Sequence, residues 1–339
     1  MTLDQAAIAD RLVYMIRSRI GASSVGFAQA PTRLLGGYSA ATYAFELTDG
    51  PAELRGPLVL RLLRPGDDAR REIILHRAAA RLGFPAPEIR MTADDSDAFD
   101  QPFLITDRAD GTDALRAWGV RRAFRQAPLV LAELMARLHA LPTDAVVDEL
   151  ESAGWSAARL GVDGVLREVD AAARHAEDAA LEQQVDELRA EQPNRPGRSI
   201  VHGDLHALNL LVADGATKAV IDWELARVTH PEFDVARTKV ILDCVPGMSS
   251  ALLRPFVQWF GRRAGAQFVR SYSSLSPLDA RLLRWWEAVH CLRLVAILRE
   301  RRVTGVSSAS EGVVAVWDPL EGRLAARLAE LMGTQRTRS

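Results

Sequence analysis

Apolar positions recur at a helical period at the start of the chain, where Leu3, Ala7, Ile8, Leu12, Met15 and Ile16 share one side of a helix that Gly21 stops. The pattern then shortens. Residues 32–47 hold two strand-like runs around the turn Gly36-Gly37-Tyr38-Ser39, and residues 57–63 form a third strand, broken by Pro65-Gly66. A helix is expected over residues 68–82, capped by an aspartate and closed by Gly83. Residues 85–91 and 101–106 read as two more strands, with an acidic turn at 92–98 between them. The segment 103–108 is the last strand before a hinge, with Gly111 after it.

Beyond the hinge the period is helical. Leu131, Leu134, Leu138 and Leu141 make one stripe ended by Pro142, and residues 162–188 read as an alanine-rich, charged helix pair or one long helix. Ser276-Pro277-Leu278-Asp279 opens another helix with serine at the cap, running to Arg302. Asp318-Pro319 repeats the device before a last helix ending near Gly333, and residues 334–339 are expected to be disordered. His139, on the leucine-striped helix, is read as a packed structural histidine.

Three short runs interrupt this helical half: Ser199-Ile200-Val201, Leu210-Leu211-Val212 and Ala219-Val220-Ile221. Polar residues fall where these buried strands end, in His202-Gly203-Asp204-Leu205-His206-Ala207-Leu208-Asn209 and Asp222-Trp223-Glu224. A carboxylate that can accept a hydroxyl proton, a carboxamide five residues on and a second carboxylate after a hairpin suit oxygen-ligated Mg²⁺ and phosphoryl transfer, with Asp204 as base and Asn209 and Asp222 on the metal. A rival reading takes His202, Asp204 and His206, with His230, as a zinc hydrolase site, because alternate residues of an extended segment share a face. It leaves Asn209 and Asp222 without a role. The Gly36-Gly37 turn lets backbone amides and the Ser39 hydroxyl approach a triphosphate, although it fits neither the Walker A nor the dinucleotide fingerprint.

His202-Gly203-Asp204-Leu205-His206-x-x-Asn209, followed by Ile221-Asp222-Trp223-Glu224, resembles the catalytic loop and metal loop of the aminoglycoside phosphotransferase family, small-molecule kinases with the protein-kinase fold. The resemblance implies an α+β, bilobed kinase-like fold: a small antiparallel-sheet N-lobe at residues 1–108 that binds nucleotide, and a larger helical C-lobe at 109–339 with the catalytic loop and the acceptor helices. It implies Asp204 as catalytic base and Asn209 and Asp222 as Mg²⁺ ligands. It also implies Arg61 on the third strand, held by Glu72, as the cation on the phosphates, where the usual residue is lysine and Arg64 is the alternative anchor. Backbone groups around Asp107 would meet the adenine edge. Asp234, in His230-Pro231-Glu232-Phe233-Asp234, would cap a helix and tie the catalytic loop down. Trp285, Glu287, His290 and Trp317 are candidates to line the acceptor site, although aromatics at helical spacing equally form a core. No long activation segment follows Asp222, which argues against protein-kinase regulation.

Composition narrows the partners. With 42 basic and 44 acidic residues the net charge is -2, and no dense basic run is present, so neither nucleic acid nor another polyanion is an expected ligand. No apolar run approaches the roughly 20 residues that cross a bilayer, and residues 1–5 lack a signal-peptide layout. Cys244 and Cys291 form neither a zinc pattern nor a disulfide framework. A cytoplasmic protein is expected, and the excess of arginine over lysine with abundant alanine points to a GC-rich bacterial source. The expected reaction is transfer of the γ-phosphoryl group of ATP, or GTP, to a hydroxyl of a small molecule. Aminoglycosides, macrolides, amino alcohols and sugars all remain open as acceptors, and a catalytically inactive nucleotide-binding protein is the alternative.

Overall fold

The structure, a computed structural model, describes residues 4–21, 23–34, 41–63, 69–93, 98–194, 196–244, 254–305 and 311–336. The chain divides into two compact units, residues 1–110 and 111–339.

The first unit is an antiparallel sheet between helices. Helix α1 (Gln5–Ile20) starts where the Asp4 side chain accepts from the Ala7 amide at 2.7 Å and ends at Gly21 in the left-handed region. Strands β1 (Gly26–Arg33), β2 (Ala41–Thr48), β3 (Pro57–Leu62), β4 (Ile89–Ala93) and β5 (Phe103–Asp107) lie in the order β1-β2-β3-β5-β4. Alternation on the central β3 divides its neighbours: Leu58, Leu60 and Leu62 pack with Phe45, Phe103 and the apolar stripe of α1. Helix α2 (Arg70–Arg81) starts after Ala69 with no side-chain cap, in place of the expected aspartate, and Asp68 lies outside the described residues. Strand β1 starts earlier than its sequence pattern indicates, because as an edge strand with largely exposed residues it carries little apolar periodicity.

The second unit is mainly helical. Strand β6 (Thr112–Asp113) leads into α3 (Ala114–His139), which is broken at Gly119 and whose last turns carry the leucine stripe. Helices α4 (Asp144–Ser152), α5 (Ala157–Leu160), α6 (Val162–His175) and α7 (Ala179–Ala190) follow, so residues 162–188 form a pair rather than one rod. Then come β7 (Ser199–Val201), β8 (Leu210–Ala213), β9 (Ala216–Val220) and β10 (Arg227–Thr229). The chain closes with α8 (Glu232–Cys244), α9 (Arg254–Leu275), α10 (Ala280–Thr304), α11 (Glu311–Trp317) and α12 (Glu321–Arg336). The cap of α10 is Asp279, whose carboxylate accepts from the amides of Arg281 and Leu282; Ser276 lies beyond the end of α9, a turn away. Asp318 pairs with Arg302 instead of capping, and α12 continues past Gly333 to Arg336. Among the described residues no helix is long and apolar enough to cross a membrane.

Candidate active site

Strands β7 and β10 pair antiparallel, Val201 opposite Arg227, and deliver the chain into the segment 202–206. Gly203 sits at φ +84°, and a Cβ there would lie 2.5 Å from the Leu225 carbonyl oxygen, so only glycine makes the turn. The loop is then held residue by residue by one face of α8. The Asp234 carboxylate accepts from the His202 amide at 2.8 Å and the Gly203 amide at 2.6 Å. Arg237, three residues on, donates from Nε to Asp204 Oδ1 at 3.1 Å, and the Thr238 hydroxyl donates to the Leu205 carbonyl at 2.6 Å. Positions 234, 237 and 238 share a helix face, so their order along α8 follows the order of the loop.

Asp234 is 0% exposed and takes a third bond from His139 Nε2 at 3.1 Å. His139 Nδ1 in turn accepts from the Tyr272 hydroxyl at 2.8 Å. Burial pushes the Tyr272 phenol up to about 12, so that proton stays in place. The structural readings of His139 and Asp234 thus describe one buried network that joins α3, α8 and α9 to the loop.

Asp204 is the accessible member of the cluster, its side chain 23% exposed. Burial alone would raise its pKa, but the Arg237 charge and then the nearby His206 hold the carboxyl well below the usual carboxylate range. His206 Nε2 lies 3.4 Å from Asp204 Oδ2, while its Nδ1 accepts from the Leu208 amide and opens the 3₁₀ turn Ala207–Asn209. Arg237 is itself 8% exposed and lies 5.6 Å from the centre of the Trp317 ring. The site therefore presents an ionised carboxylate, fixed on one oxygen by an arginine.

Asn209 and Asp222 are brought together by the hairpin. The Asn209 carbonyl accepts from the Ile221 amide at 3.0 Å, and Leu210 pairs with Val220. The Asp214-Gly215 turn has positive φ at both positions, as a tight two-residue hairpin requires. Asn209 Nδ2 donates to the Asp204 carbonyl at 2.9 Å, which leaves the carboxamide oxygen as its remaining side-chain acceptor. Asp222 adopts φ +70°, an uncommon conformation for a non-glycine residue and one that gathers at functional sites. A carboxamide oxygen and a carboxylate are hard donors and fit Mg²⁺. His202 does not fit zinc: its Nδ1 accepts from the Asp204 amide at 3.3 Å and its Nε2 donates to the Ile221 carbonyl at 3.1 Å, so no lone pair remains for a metal. Among the described residues no group of three or more His, Cys, Asp or Glu side chains forms a metal site.

In the first unit Arg61 forms an ion pair with Glu72, which sits in the first turn of α2. Asp107 lies at the end of β5. Its carboxylate grips Arg90 through two bonds of 2.7 Å, its amide donates to Glu88, and the Arg108 amide donates to Pro57. The donors at 107 and 108 are thus committed to the sheet and its edge. Gly36, Gly37, Ser39 and Arg64 lie outside the described residues.

The acceptor candidates on α10 and α11 are core residues. Trp285 donates to the Leu188 carbonyl, His290 Nε2 to the Phe233 carbonyl, and Glu287 pairs with Lys239 and Arg327. All three, with Trp317, are buried. Burial holds the His290 ring well below its ordinary pKa, hence neutral. Arg237, the partner of Asp204, was not singled out from the sequence. Its one signal there is its place three residues after Asp234 in a helix that is otherwise largely apolar.

Comparison with known proteins agrees with this architecture. The phosphotransferase enzyme family matches residues 31–286. Similar solved structures include a Ralstonia eutropha JMP134 protein assigned to the aminoglycoside phosphotransferases, with TM-score 0.66, 18% identity, and coverage of 96% of this chain and 98% of that one. A thermostable mutant of aminoglycoside phosphotransferase APH(4)-Ia, in ternary complex with ADP and hygromycin B, gives TM-score 0.55 and 19% identity over 94% of this chain and 97% of its own. Macrolide 2'-phosphotransferase type I gives 0.54 and 18%, over 98% and 99% of the two chains. Acyl-CoA dehydrogenase family member 11 of Pongo abelii is 28% identical over 172 residues, 49% of this chain. The chain spans 22% of that curated relative's length. The family match covers most of the chain, including the Asp204 loop, the Asp222 hairpin and the β3–α2 ion pair, and the chain belongs to the phosphotransferase enzyme family.

Proposed function

We propose that the protein is a small-molecule kinase that transfers the γ-phosphoryl group of ATP, with GTP as the alternative donor, to a hydroxyl of a small acceptor. The observation that carries this reading is the ionised, partly exposed Asp204, immobilised by Arg237 and a residue's breadth from the Asn209–Asp222 pair. Asp204 accepts the hydroxyl hydrogen bond and orients the oxygen for in-line attack. An oxygen–phosphorus bond forms, the bond from the γ-phosphorus to the β,γ-bridging oxygen breaks, ADP leaves, and the hydroxyl proton passes to Asp204 and on to solvent. Because the transition state is loose, the proton departs late, and a weakly basic carboxylate suffices as an orienting group. Asn209 and Asp222 would hold Mg²⁺, which supplies charge neutralisation on the phosphates. Arg61, steadied by Glu72, would hold the donor's phosphates in the role usually filled by lysine. ATP as donor accords with a cytoplasmic setting. Support for a nucleotide and a hydroxylated acceptor comes from the ternary complexes of the structural neighbours with ADP or AMP-PNP and hygromycin B.

The test combines binding and turnover. MgATP should raise the melting temperature and EDTA should cancel the rise, a dependence that Asp222→Ala should abolish. Against a panel of hydroxylated acceptors, Asp204→Asn should lower kcat about 10²-fold or more while keeping the MgATP shift. Absence of a metal-dependent shift, or full turnover in Asp204→Asn, would overturn the reading.

A further inference from the structure

In the second unit positive charge is segregated onto two helices that lie side by side. Eight of the 42 basic residues, all arginine, and none of the 44 acidic ones fall in residues 114–132 and 244–278, so the rest of the chain is left with 34 basic against 44 acidic residues. These stretches hold the start of α3 and all of α9. Neither is a dense basic run; packing is what concentrates the charge. Helix α3 packs along α9 over several turns. His139, the last residue of α3, meets Tyr272 in the last turn of α9, so the shared contact runs back toward both N-termini and the helices are parallel. On α3, Arg121, Arg125 and Leu129 recur every four residues with Arg122 beside them. On α9, Trp259, Arg263, Ala266 and Arg270 form one stripe with Arg262 beside it, and all of these residues are exposed.

The face lacks the counter-charges of an ordinary solvated helix, on which opposite signs are interspersed at helical spacing. Arg121, Arg125, Arg262 and Arg270 have no hydrogen bond or ion pair among the described residues, Arg122 donates to the neutral Gln126 side chain, and the Arg263 guanidinium stands 4.7 Å from the centre of the Trp259 ring. Carboxylates on the elements packed against the two helices are engaged elsewhere. Asp113 caps α3 and pairs with Arg116, Asp234 takes the loop amides and His139, the buried Glu232 accepts from the Asp279 amide, and Asp243 pairs with Lys239 at 2.7 Å. Glu133, a turn beyond Leu129, is where acidic residues resume on α3. Apolar exposure gathers on the same pair: six of the eleven large apolar side chains exposed among the described residues are Leu115, Val120, Leu129, Trp259, Phe260 and Leu275. Trp259 is 48% exposed and Val120 54%, and apolar groups left open together in this way mark a docking surface.

We propose that the paired α3–α9 face docks peripherally on an anionic phospholipid membrane. Its composition selects the partner. A folded protein surface offers both signs of charge, and a face that meets one carries carboxylates for the partner's cations; here there are none. Nucleic acid offers phosphates but no apolar layer to receive Val120, Leu129 and Trp259. An anionic leaflet offers phosphates to the guanidinium groups and acyl chains to the apolar side chains among them, as helices lying in a membrane interface require. Asp204, Asn209 and Asp222 belong to other elements, so docking does not depend on phosphoryl transfer.

The experiment is co-sedimentation of the full chain with vesicles of phosphatidylcholine alone and of phosphatidylcholine mixed with phosphatidylglycerol, over a salt series. The protein should pellet with the mixed vesicles and not with phosphatidylcholine alone, and binding should weaken as salt screens the arginines. Each arginine near an anionic leaflet multiplies the partition coefficient by about five, so Arg121→Gln/Arg262→Gln should lower it by about tenfold or more. Both side chains are exposed and without partners among the described residues, so this variant should keep the wild-type melting temperature. Arg55→Gln/Arg281→Gln, exposed arginines on other elements, should leave the partition coefficient near that of wild type. Leu129→Ser/Trp259→Ser should weaken binding with the charge unchanged. Tryptophan emission should shift to the blue on the mixed vesicles, a shift that Trp259→Phe should largely remove. Equal binding to both vesicle types, no binding to the mixed vesicles, equal losses in the two arginine variants, or tighter binding to a DNA duplex or to poly-glutamate than to the mixed vesicles overturns the proposal.

Discussion

Replacing Asp234 by alanine is the sharpest perturbation of the loop that carries Asp204. The carboxylate is wholly buried and accepts three bonds: 2.8 Å from the His202 amide, 2.6 Å from the Gly203 amide and 3.1 Å from His139 Nε2. Hydrogen bonds to a charged group are worth about 1.5–3 kcal/mol each, and a buried donor left without a partner costs about 1–3 kcal/mol. The two loop donors are backbone amides and cannot swing to a new acceptor, and the His139 ring is tethered at its other nitrogen by Tyr272. Breaking such a buried network from one side costs about 3–5 kcal/mol. Against a total stability of about 5–15 kcal/mol this is a large fraction. Asp234→Ala should therefore lower the urea midpoint sharply with an unchanged slope, and it should expose the amides of His202 and Gly203 to hydrogen exchange. Asp234→Asn keeps the shape and one acceptor and should fall between the alanine variant and wild type. A loss below about 1 kcal/mol for Asp234→Ala, with both amides still protected, would refute the claim that α8 holds the loop through this carboxylate.

Arg237 tunes as well as positions. With the guanidinium in place the Asp204 pKa lies below its ordinary value, so its ionisation contributes stability above the unfolded-state value, lost only as pH falls through the folded-state one. Arg237→Met removes the largest stabilising charge and leaves the burial that raises the pKa, so the acidic limb of kcat/KM should move to higher pH; an unmoved limb would exclude this role. The glycines provide a paired test. Gly203→Ala places a Cβ 2.5 Å from the Leu225 carbonyl at φ +84° and should distort the loop, lowering both melting temperature and kcat. Gly215→Ala, at φ +75° but with nothing within 4 Å, should cost only the left-handed strain, about 1–2 kcal/mol, and leave kcat near wild type. Equal effects of the two on kcat would show that the Leu225 contact does not matter.

The parts of the site that are close in sequence were legible there. Asp204, Asn209 and Asp222 are placed by three short strands and a hairpin whose signals are local: β-branched runs, an Asp-Gly turn and a glycine before the carboxylate. The caps were half legible, since Asp279 rather than Ser276 starts α10, and proline alone does not say which neighbour takes the cap. The aromatic run Trp285-Trp286 was compatible with either a core or a binding wall. Only packing separates the two, and Trp286 meets Phe233 edge-on at 5.0 Å in the interior.

Of the frame behind the loop only Asp234 was expected, through the family resemblance; Arg237 and Thr238 were not. Asp234, Arg237 and Thr238 contact residues 31 to 33 positions earlier, and no local pattern encodes a contact at that separation. Apart from that resemblance the trace is compositional: a carboxylate, a guanidinium and a hydroxyl at helical spacing among Phe233, Val235, Ala236 and Val240, on a helix buried nearly all round. A buried helix does not keep polar side chains at such spacing unless each has a partner, because each unpaired one costs folding free energy.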